Sequence, residues 1–435
     1  MIANLTKIFF YPLKKYRSTC LSFTLIILII TLLAFFLGFG DDRGFNLKNY
    51  LTSTYIVGDF DSYQRSINEI INDFLKLFSG SNLQPSEAIQ GPVMPILLNA
   101  SKILTNNFIP FYILSIYISY WFITFAIDIS RDISPWVDSQ LEKKIFNFKI
   151  KNKVIIDLSY LEIFGIIFNP ILLFYVIFPA SDLPFAFLVL FIIWNLGKEK
   201  YNLCYLTYII CLLTRPTGLF LLPAVLIIFY FDYKQNKRFK FMAYILLILL
   251  SFSFYYYYRG YSVTNFSDTL QYGGYGGGLN VWGLPVPGWI IKQNSNINLE
   301  FNKIISIIFT PFIQIISSLG LRPSYTTIFD GNTEEILSIV SIKPYIYAYI
   351  RIIWGAIITL PGLIFLVLIS IQKKDNKQLI AMITIIFSFG VGLSSSITLE
   401  RYLFFAYPVL SISAISSYIK MLATIKSDIK LNKTN

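Results

Sequence analysis

The sequence predicts an all-α polytopic membrane protein, a bundle of about ten transmembrane helices with amphipathic helices on its outer side. Of the 435 residues, 55% are hydrophobic and only 14% are charged, whereas about a quarter of the residues of a soluble domain are charged. The deficit comes from long uncharged runs, several of them near the roughly 20 residues that a helix needs to cross a bilayer. This pattern excludes a soluble enzyme, a nucleic-acid-binding module and a secreted disulfide scaffold.

Ten uncharged runs are predicted to span the membrane within a single integral domain, 1–435. If the N-terminus is cytoplasmic, the inner segments carry 23 of the 36 Lys and Arg residues, although the outer segments are nearly twice as long. This bias is typical of a correctly oriented chain and places both termini in the cytoplasm, in what we predict to be a bacterial inner (plasma) membrane. The predicted spans are 18–40, 103–127, 163–181, 183–197, 201–214, 216–231, 241–258, 352–372, 378–399 and 402–419.

An eleventh uncharged run, 304–321, is predicted to be a re-entrant or interfacial helix on the outer side. If it crossed the membrane, the basic loop 373–377 and the basic C-terminal tail would both lie outside. The positive-inside distribution therefore favours ten spans.

The runs 201–214 and 216–231 are each too short to cross the bilayer upright, and they meet at Arg215. One long helix through Arg215 would place the basic stretch 232–240 outside. Two short helices that meet below the outer surface fit the charge distribution better and leave Arg215 in a sunken external pocket.

Two long outer segments remain, 41–102 and 259–351. Connections of this length are usually functional or fold on their own, so the outer face is predicted to be the working face. In the first loop, residues 58–63 read Gly-Asp-Phe-Asp-Ser-Tyr and precede an amphipathic helix, which should lie in the outer headgroup layer. This arrangement holds Asp59 and Asp61 near the membrane surface, although Asp61 could simply cap the helix.

The chain contains no histidine, which excludes a histidine base or a histidine-ligated metal. Its three cysteines all lie in apolar runs and are predicted to be core residues. The available chemistry is that of carboxylates, Lys, Arg, Tyr and hydroxyl groups, and no cofactor or metal is predicted.

The first outer loop resembles that of the GT-C glycosyltransferase superfamily, including its protein O-mannosyltransferase and lipid A aminoarabinose transferase branch. That loop has an acidic Asp-Glu-x-x-Tyr motif, an amphipathic helix and a Pro-containing approach to the second span. Here Asp59 precedes Tyr63 by four residues, the second acid is Asp61 rather than the adjacent residue, and segment 90–97 looks like the Pro-containing approach.

Three later segments are similar to the same superfamily. Residues 179–185 resemble the turn between spans three and four, with Asp182 in place of a Glu. Residues 213–218 are close to its Arg-Pro turn, and Glu400-Arg401-Tyr402 resembles the beginning of a late span. The order of these motifs and the topology agree over about 400 residues.

The resemblance implies transfer of a sugar from a polyprenyl-phosphate donor to a glycan, lipid or protein acceptor on the outer face, in synthesis of a surface glycan or glycolipid. A phosphate leaves as a stable anion, so the reaction needs one carboxylate base, Asp59 or Asp61, and cations near the phosphate. Tyr63, Asp182 and Glu400 would complete the substrate site. The outer-facing cations are Arg65, Arg215, Arg259, Arg322 and Arg401.

Other interpretations remain open at this point. Arg215 and Arg401 could be helix-end residues or could form ion pairs, with Glu400 or Asp182 as partner. An O-antigen-type polysaccharide polymerase would also have ten or more spans and long outer loops, but it should depend on external Arg residues rather than on an acidic pair. A lipid-linked glycan transporter should show internal repeats, and a passive structural membrane protein is a further alternative.

Overall fold

The computed structural model describes residues 10–36, 93–107, 109–133, 165, 182–236, 248, 250, 353–372, 376–392 and 403–431. Within these segments the chain is all-helical and has no strand. The helices are α1 Tyr11–Lys15, α2 Arg17–Phe36, α3 Val93–Thr105, α4 Ile109–Ile133, α5 Asp182–Gly197, α6 Tyr201–Thr214, α7 Leu222–Asn236, α8 Leu360–Gln372, α9 Lys377–Gly392 and α10 Tyr407–Leu431. A 3₁₀ helix, Pro216–Leu221, precedes α7, and a π-helical turn, Gly355–Thr359, precedes α8.

In the described part of the chain, α4 is the helix that is both long and apolar enough to cross a membrane. It has 25 residues, and its central residues are buried against other helices. Other apolar helices, among them α5 and α6, have 10–17 residues. The all-α class predicted from the sequence is confirmed for the described residues.

The helices pack through aromatic side chains into one apolar core. Phe125 of α4 lies against Phe187, Phe191 and Trp194 of α5, with ring centroids 5.8, 5.4 and 4.9 Å away. Phe122 stacks on Phe404, which precedes α10, at 5.1 Å. Rings at these separations bury large apolar areas and fix the relative positions of α4, α5 and the segment before α10.

The side-chain contacts define the relative directions of five helices, α4, α5, α6, α7 and α9. The α5–α6 pair is an antiparallel hairpin, closed by the turn 198–200 at one end, with Glu199 in the left-handed region at φ 57°. Tyr205 contacts Asp232 at 3.2 Å and Tyr201 contacts Gln235 at 2.8 Å, so α6 and α7 are also antiparallel.

Two further pairs follow from contacts at both ends of α5. Trp194 of α5 reaches Asp128 of α4, and earlier residues of the two helices meet as well, so α4 and α5 are parallel. Gln378 of α9 donates to the Ile193 carbonyl, and Phe389 meets Phe185, so α9 is antiparallel to α5. These directions agree with those predicted from the sequence for the five corresponding spans.

The helix boundaries differ from the uncharged runs in two ways. The predicted span 103–127 is divided, because α3 continues to Thr105 and the chain turns at Asn106, which has φ 55°. Asn107 Oδ1 then accepts from the Ile109 N–H at 2.9 Å and begins α4. Asn tolerates left-handed backbone and caps helices well, so the beginning of the second helix moves to Ile109.

Three helices continue past the charged residues at which the sequence predicts that they end. The helix α4 continues past Asp128 to Ile133, α7 continues to Asn236, and α10 continues to Leu431. Lys and Arg are good helix formers, and a helix with satisfied backbone hydrogen bonds continues into them at little cost. The segments 128–162, 232–240 and 420–435, predicted as inner loops or tail, therefore begin as helix.

The contact between α8 and α10 requires a glycine. A Cβ on Gly362 would overlap the carbonyl oxygen of Leu410, a backbone atom that cannot move aside alone. We expect Gly362→Ala to destabilise the chain by about 1–3 kcal/mol, the usual cost of overpacking. Thermal unfolding of the purified protein in neutral detergent would measure this.

Gly197→Ala is the matched control for this prediction. A Cβ at Gly197 would meet the terminal amide of Gln378, a flexible side chain that can rotate away. Equal losses of stability in the two variants would contradict the requirement for close backbone contact at Gly362.

Candidate functional site

The two described site residues, Asp182 and Arg215, lie at the same end of the α5–α6 hairpin. Asp182 is the first residue of α5, and Arg215 follows α6 directly. Arg215 is extended, with φ −148° and ψ 141°, because a residue before proline avoids the helical conformation. Pro216 thus ends α6 at the level where α5 begins.

The Arg215 guanidinium donates from Nη1 to the Asp182 carboxylate, and the two groups form a buried ion pair. Only 3% of the Arg215 side chain and none of the Asp182 side chain is exposed. Of the two partners that the sequence analysis left open for Arg215, the structure brings Asp182 to it. We call this end of the bundle the ion-pair end.

The 3₁₀ helix after Arg215 folds back closely on α6. The Gly218 N–H donates to the Arg215 carbonyl at 3.0 Å, and a Cβ at position 218 would press on the backbone of Cys211 and Leu212. Thr217 Oγ1 is buried in this fold-back and has no hydrogen-bond partner among the described residues. Thr217 is a polar group beside the ion pair that the sequence analysis did not select.

The chemistry of the two side chains gives the ion pair both a structural role and a capacity to bind anions. A guanidinium carries five N–H donors in a planar fork, and the geometry of this fork matches both carboxylate and phosphate oxygens. Burial makes the pair costly to break, because either partner alone would be an uncompensated charge. The pair therefore ties α5 to the end of α6, and it also holds a cation at a defined level of the bundle.

The opposite end of the hairpin carries a second polar cluster, centred on Asp128 of α4. Lys15 Nζ and Tyr16 Oη each donate to Asp128 Oδ1 at 2.7 Å, and Trp194 Nε1 donates to Oδ2 at 3.2 Å. Arg131 donates to Tyr16 Oη at 3.2 Å. One carboxylate thus joins the N-terminal segment, α4 and α5, and we call this end the basic end.

A third cluster lies at the same end and joins the α5–α6 turn to α9. Lys377 Nζ donates to Glu199 at 2.7 Å and to Tyr201 Oη at 3.1 Å, while Gln235 of α7 also donates to Glu199. These hydrogen bonds from Lys377 and Gln235 hold the pKa of Glu199 below its ordinary value. Because Glu199 is exposed, the pair contributes little to stability, but it fixes which helix ends lie together.

The other residues proposed from the sequence lie outside the described segments, so the structure brings together only Asp182 and Arg215 of that set. Within the described segments, no three His, Cys, Asp or Glu side chains lie close enough to hold a metal ion. The residues outside are Asp59, Asp61, Tyr63, Arg65, Arg259, Arg322, Glu400 and Arg401.

No known protein family, curated protein or solved structure matches this chain. Function is therefore inferred from its own motifs and contacts. The sequence signal that identified Arg215 was a charged residue between two apolar runs. From the sequence, the polar groups of the basic end indicate only the orientation of the chain, because charges near helix ends are common in any membrane protein.

Proposed function

We propose that this chain is a polytopic membrane glycosyltransferase of the GT-C type. It moves a sugar from a polyprenyl-phosphate donor to an acceptor at the outer face of a bacterial plasma membrane, in synthesis of a surface glycan or glycolipid. The donor, the acceptor and membrane lipids are its partners, and it uses no cofactor and no nucleic acid.

The observation that carries the proposal is the contact between Asp182 and Arg215. These residues belong to two separate segments of the resemblance, 179–185 and 213–218, and they meet in a buried pair at one end of the bundle. In the ten-span topology this end faces outward, which is the side of the donor phosphate. A guanidinium at that level, in surroundings of low dielectric, would bind a phosphate more strongly than it does in water.

The directions of the helices support the topology. The inner segments predicted from the sequence include Lys15, Asp128, Glu199 and Lys377, and all of these lie at the basic end. In contrast, the ion pair belongs to segments predicted outside. A soluble helical bundle has no reason to separate its basic loops in this way, whereas a membrane protein does.

The position of α9 is relevant to the prediction that the run 304–321 does not cross the membrane. Asn376 Nδ2 donates to the Asp132 carbonyl at 3.3 Å, and Lys377 contacts Glu199, so the loop before α9 lies at the basic end. The helix α7 also ends there, so the described helix ends on both sides of the segment 237–352 agree with the ten-span prediction, in which 241–258 crosses the membrane and 304–321 does not. Apart from residues 248 and 250, that segment lies outside the described residues.

The chemistry assigns one role to each type of residue. Asp59 or Asp61 takes the proton of the acceptor hydroxyl, while Arg215, with Arg65, Arg322 or Arg401, binds the phosphate of the donor. Tyr63 and Glu400 complete the substrate site, and Asp182 orients Arg215. The leaving phosphate needs no proton, so one base is sufficient.

Isolated membranes provide the test of this function. Membranes that contain the chain should convert endogenous polyprenyl-phosphate sugar to polyprenyl phosphate faster than membranes of the same cells without it, as measured by mass spectrometry of the lipid extract. An unchanged lipid pool would contradict transfer. Accumulation of the lipid-linked sugar on the other side of the membrane, without cleavage, would indicate transport instead.

Topology is tested by cysteine labelling of intact cells. Single cysteines at Asn82 and Asn298 should react with a membrane-impermeant thiol reagent, whereas cysteines at Asn147 and Asn376 should react only after the membrane is opened. The native Cys20, Cys204 and Cys211 are buried and should give a low background.

Asn376 caps α9 through the Leu379 N–H at 3.0 Å, so Lys200→Cys, at an exposed turn of the same end, is the control that leaves this cap intact. Labelling of both Asn376→Cys and Lys200→Cys from outside would contradict the proposed orientation. Labelling of Asn376→Cys alone would mean that 304–321 crosses the membrane.

A further inference from the structure

Three cations, Lys15, Arg131 and Lys198, converge around Asp128 at the basic end, and the two carboxylates in this region, Asp128 and Asp132, do not balance them. Lys15 donates to Asp128, and Arg131 donates to Tyr16, which itself donates to Asp128. The Lys198 ammonium lies 3.3 Å from the centre of the ring of Trp194, which also donates to Asp128. All three side chains belong to exposed residues, whereas the Asp128 side chain is 10% exposed. The cluster thus presents positive charge outward, over a buried acceptor and two aromatic rings.

Burial lowers the pKa of Lys198 below its ordinary value. Asp128 and Asp132 attract its ammonium, whereas the neighbouring Lys200 and Lys15 repel it. An ammonium held among other cations is stabilised when an anion binds beside it. The position over Trp194 orients the charge but does not neutralise it.

The aromatic residues next to the cations indicate which kind of anion would bind there. Tyr11 stacks on Trp121 with ring centroids 5.7 Å apart, and the Phe125 ring lies between Trp121 and Trp194, with centroids 5.2 and 4.9 Å away. Tyr and Trp rings of this kind prefer the interface between headgroups and acyl chains. Cations above such a layer lie at the height of lipid phosphates, where an anionic membrane surface attracts basic residues.

We propose that the cluster of Lys15, Arg131 and Lys198 binds the phosphodiester headgroup of an anionic phospholipid in the inner leaflet. The phosphate lies between Arg131 and Lys198, while Asp128 holds Lys15 and Tyr16 in place below it. The bound lipid joins the N-terminal segment to α4 and α5. This inference depends on the membrane orientation proposed above but not on glycosyl transfer.

Native mass spectrometry tests the site on the full chain released from neutral detergent. Phosphatidylglycerol should bind more tightly than phosphatidylcholine with the same acyl chains, and the preference should weaken as ionic strength rises. The double variant Arg131→Gln/Lys198→Gln should reduce the preference for phosphatidylglycerol by a factor of at least about five. Lys198→Arg should retain the preference.

Lys234→Gln is the matched control, because Lys234 is an exposed cation in the last turn of α7, which contributes nothing to the cluster. If the double variant and Lys234→Gln lost the preference for phosphatidylglycerol equally, the attraction would be diffuse rather than due to a defined site, and the proposal would be overturned. Equal binding of the two lipids by the unmodified chain would overturn the proposal, as would full competition by millimolar inorganic phosphate. None of these outcomes depends on transferase activity.

Discussion

Replacing Arg215 by Met is expected to destabilise the chain by about 3–5 kcal/mol, because it leaves the buried Asp182 carboxylate without its cation. Asp182→Leu should cost a similar amount by leaving the guanidinium unpaired. The buried Cys204 and Cys211 of α6 provide the measurement, since a thiol-reactive dye labels them only when this part of the bundle opens. Single variants within about 1 kcal/mol of the unmodified chain would contradict a buried ion pair.

The double variant Asp182→Leu/Arg215→Met separates a structural role of the pair from a role in binding. Apolar residues of similar volume often replace a buried ion pair without loss of stability, so the double variant should recover most of it. If Arg215 also binds the donor phosphate, the stable double variant should still fail to cleave polyprenyl-phosphate sugar. Recovery of both stability and turnover would leave Arg215 as a structural residue only.

Arg215→Lys gives an independent measure of the phosphate contact. Lys keeps the charge near Asp182 but loses the planar fork that binds two phosphate oxygens at once. We expect weakened binding of the donor with normal membrane insertion. An unchanged donor affinity would make Arg401 or Arg322 the better candidate for the phosphate.

Asp59→Asn is expected to reduce cleavage of polyprenyl-phosphate sugar by 10²- to 10⁴-fold, the usual loss when a general base is removed. Asn has nearly the same shape as Asp but cannot take the acceptor proton. The measurement is the initial rate of polyprenyl phosphate release in isolated membranes, at matched amounts of protein. Near-normal turnover in this variant would contradict the assignment of Asp59.

Asp61→Asn is the matched control, because Asn caps a helix about as well as Asp does. If Asp61 is only a cap, this variant should keep nearly full activity. A loss as large as that expected for Asp59→Asn, found in Asp61→Asn alone, would move the role of base to Asp61.

The helical class and the approximate positions of α5 and α6 could be predicted from the sequence. The uncharged runs 183–197 and 201–214 coincide with Asp182–Gly197 and Tyr201–Thr214 almost residue for residue. This agreement arises because Lys198-Glu199-Lys200 and Arg215-Pro216 interrupt the apolar pattern at the same points where they interrupt the helix. The uncharged run does not predict the turn before α4, because Asn106 and Asn107 are uncharged and do not interrupt it.

The candidate site could be predicted only in part. A charged residue between two apolar runs was sufficient to single out Arg215, and the segment 179–185 singled out Asp182 through its resemblance to a known turn. Which acid pairs with Arg215 could not be decided, because Asp182 and Glu400 were equally compatible with the topology. The sequence also gave no reason to select Asp128, whose partners come from distant parts of the chain.

By itself the sequence determined that this protein is helical, that it contains no histidine chemistry, and that its basic segments alternate along the chain. These are properties of composition and local pattern, and they do not depend on which helices become neighbours. Only the tertiary structure decided that Arg215 is buried against Asp182, and that Lys15, Arg131 and Lys198 meet around Asp128. The physical reason is that an ion pair or a charge cluster depends on distances between helices, which the packing of side chains such as Phe125 and Trp194 sets.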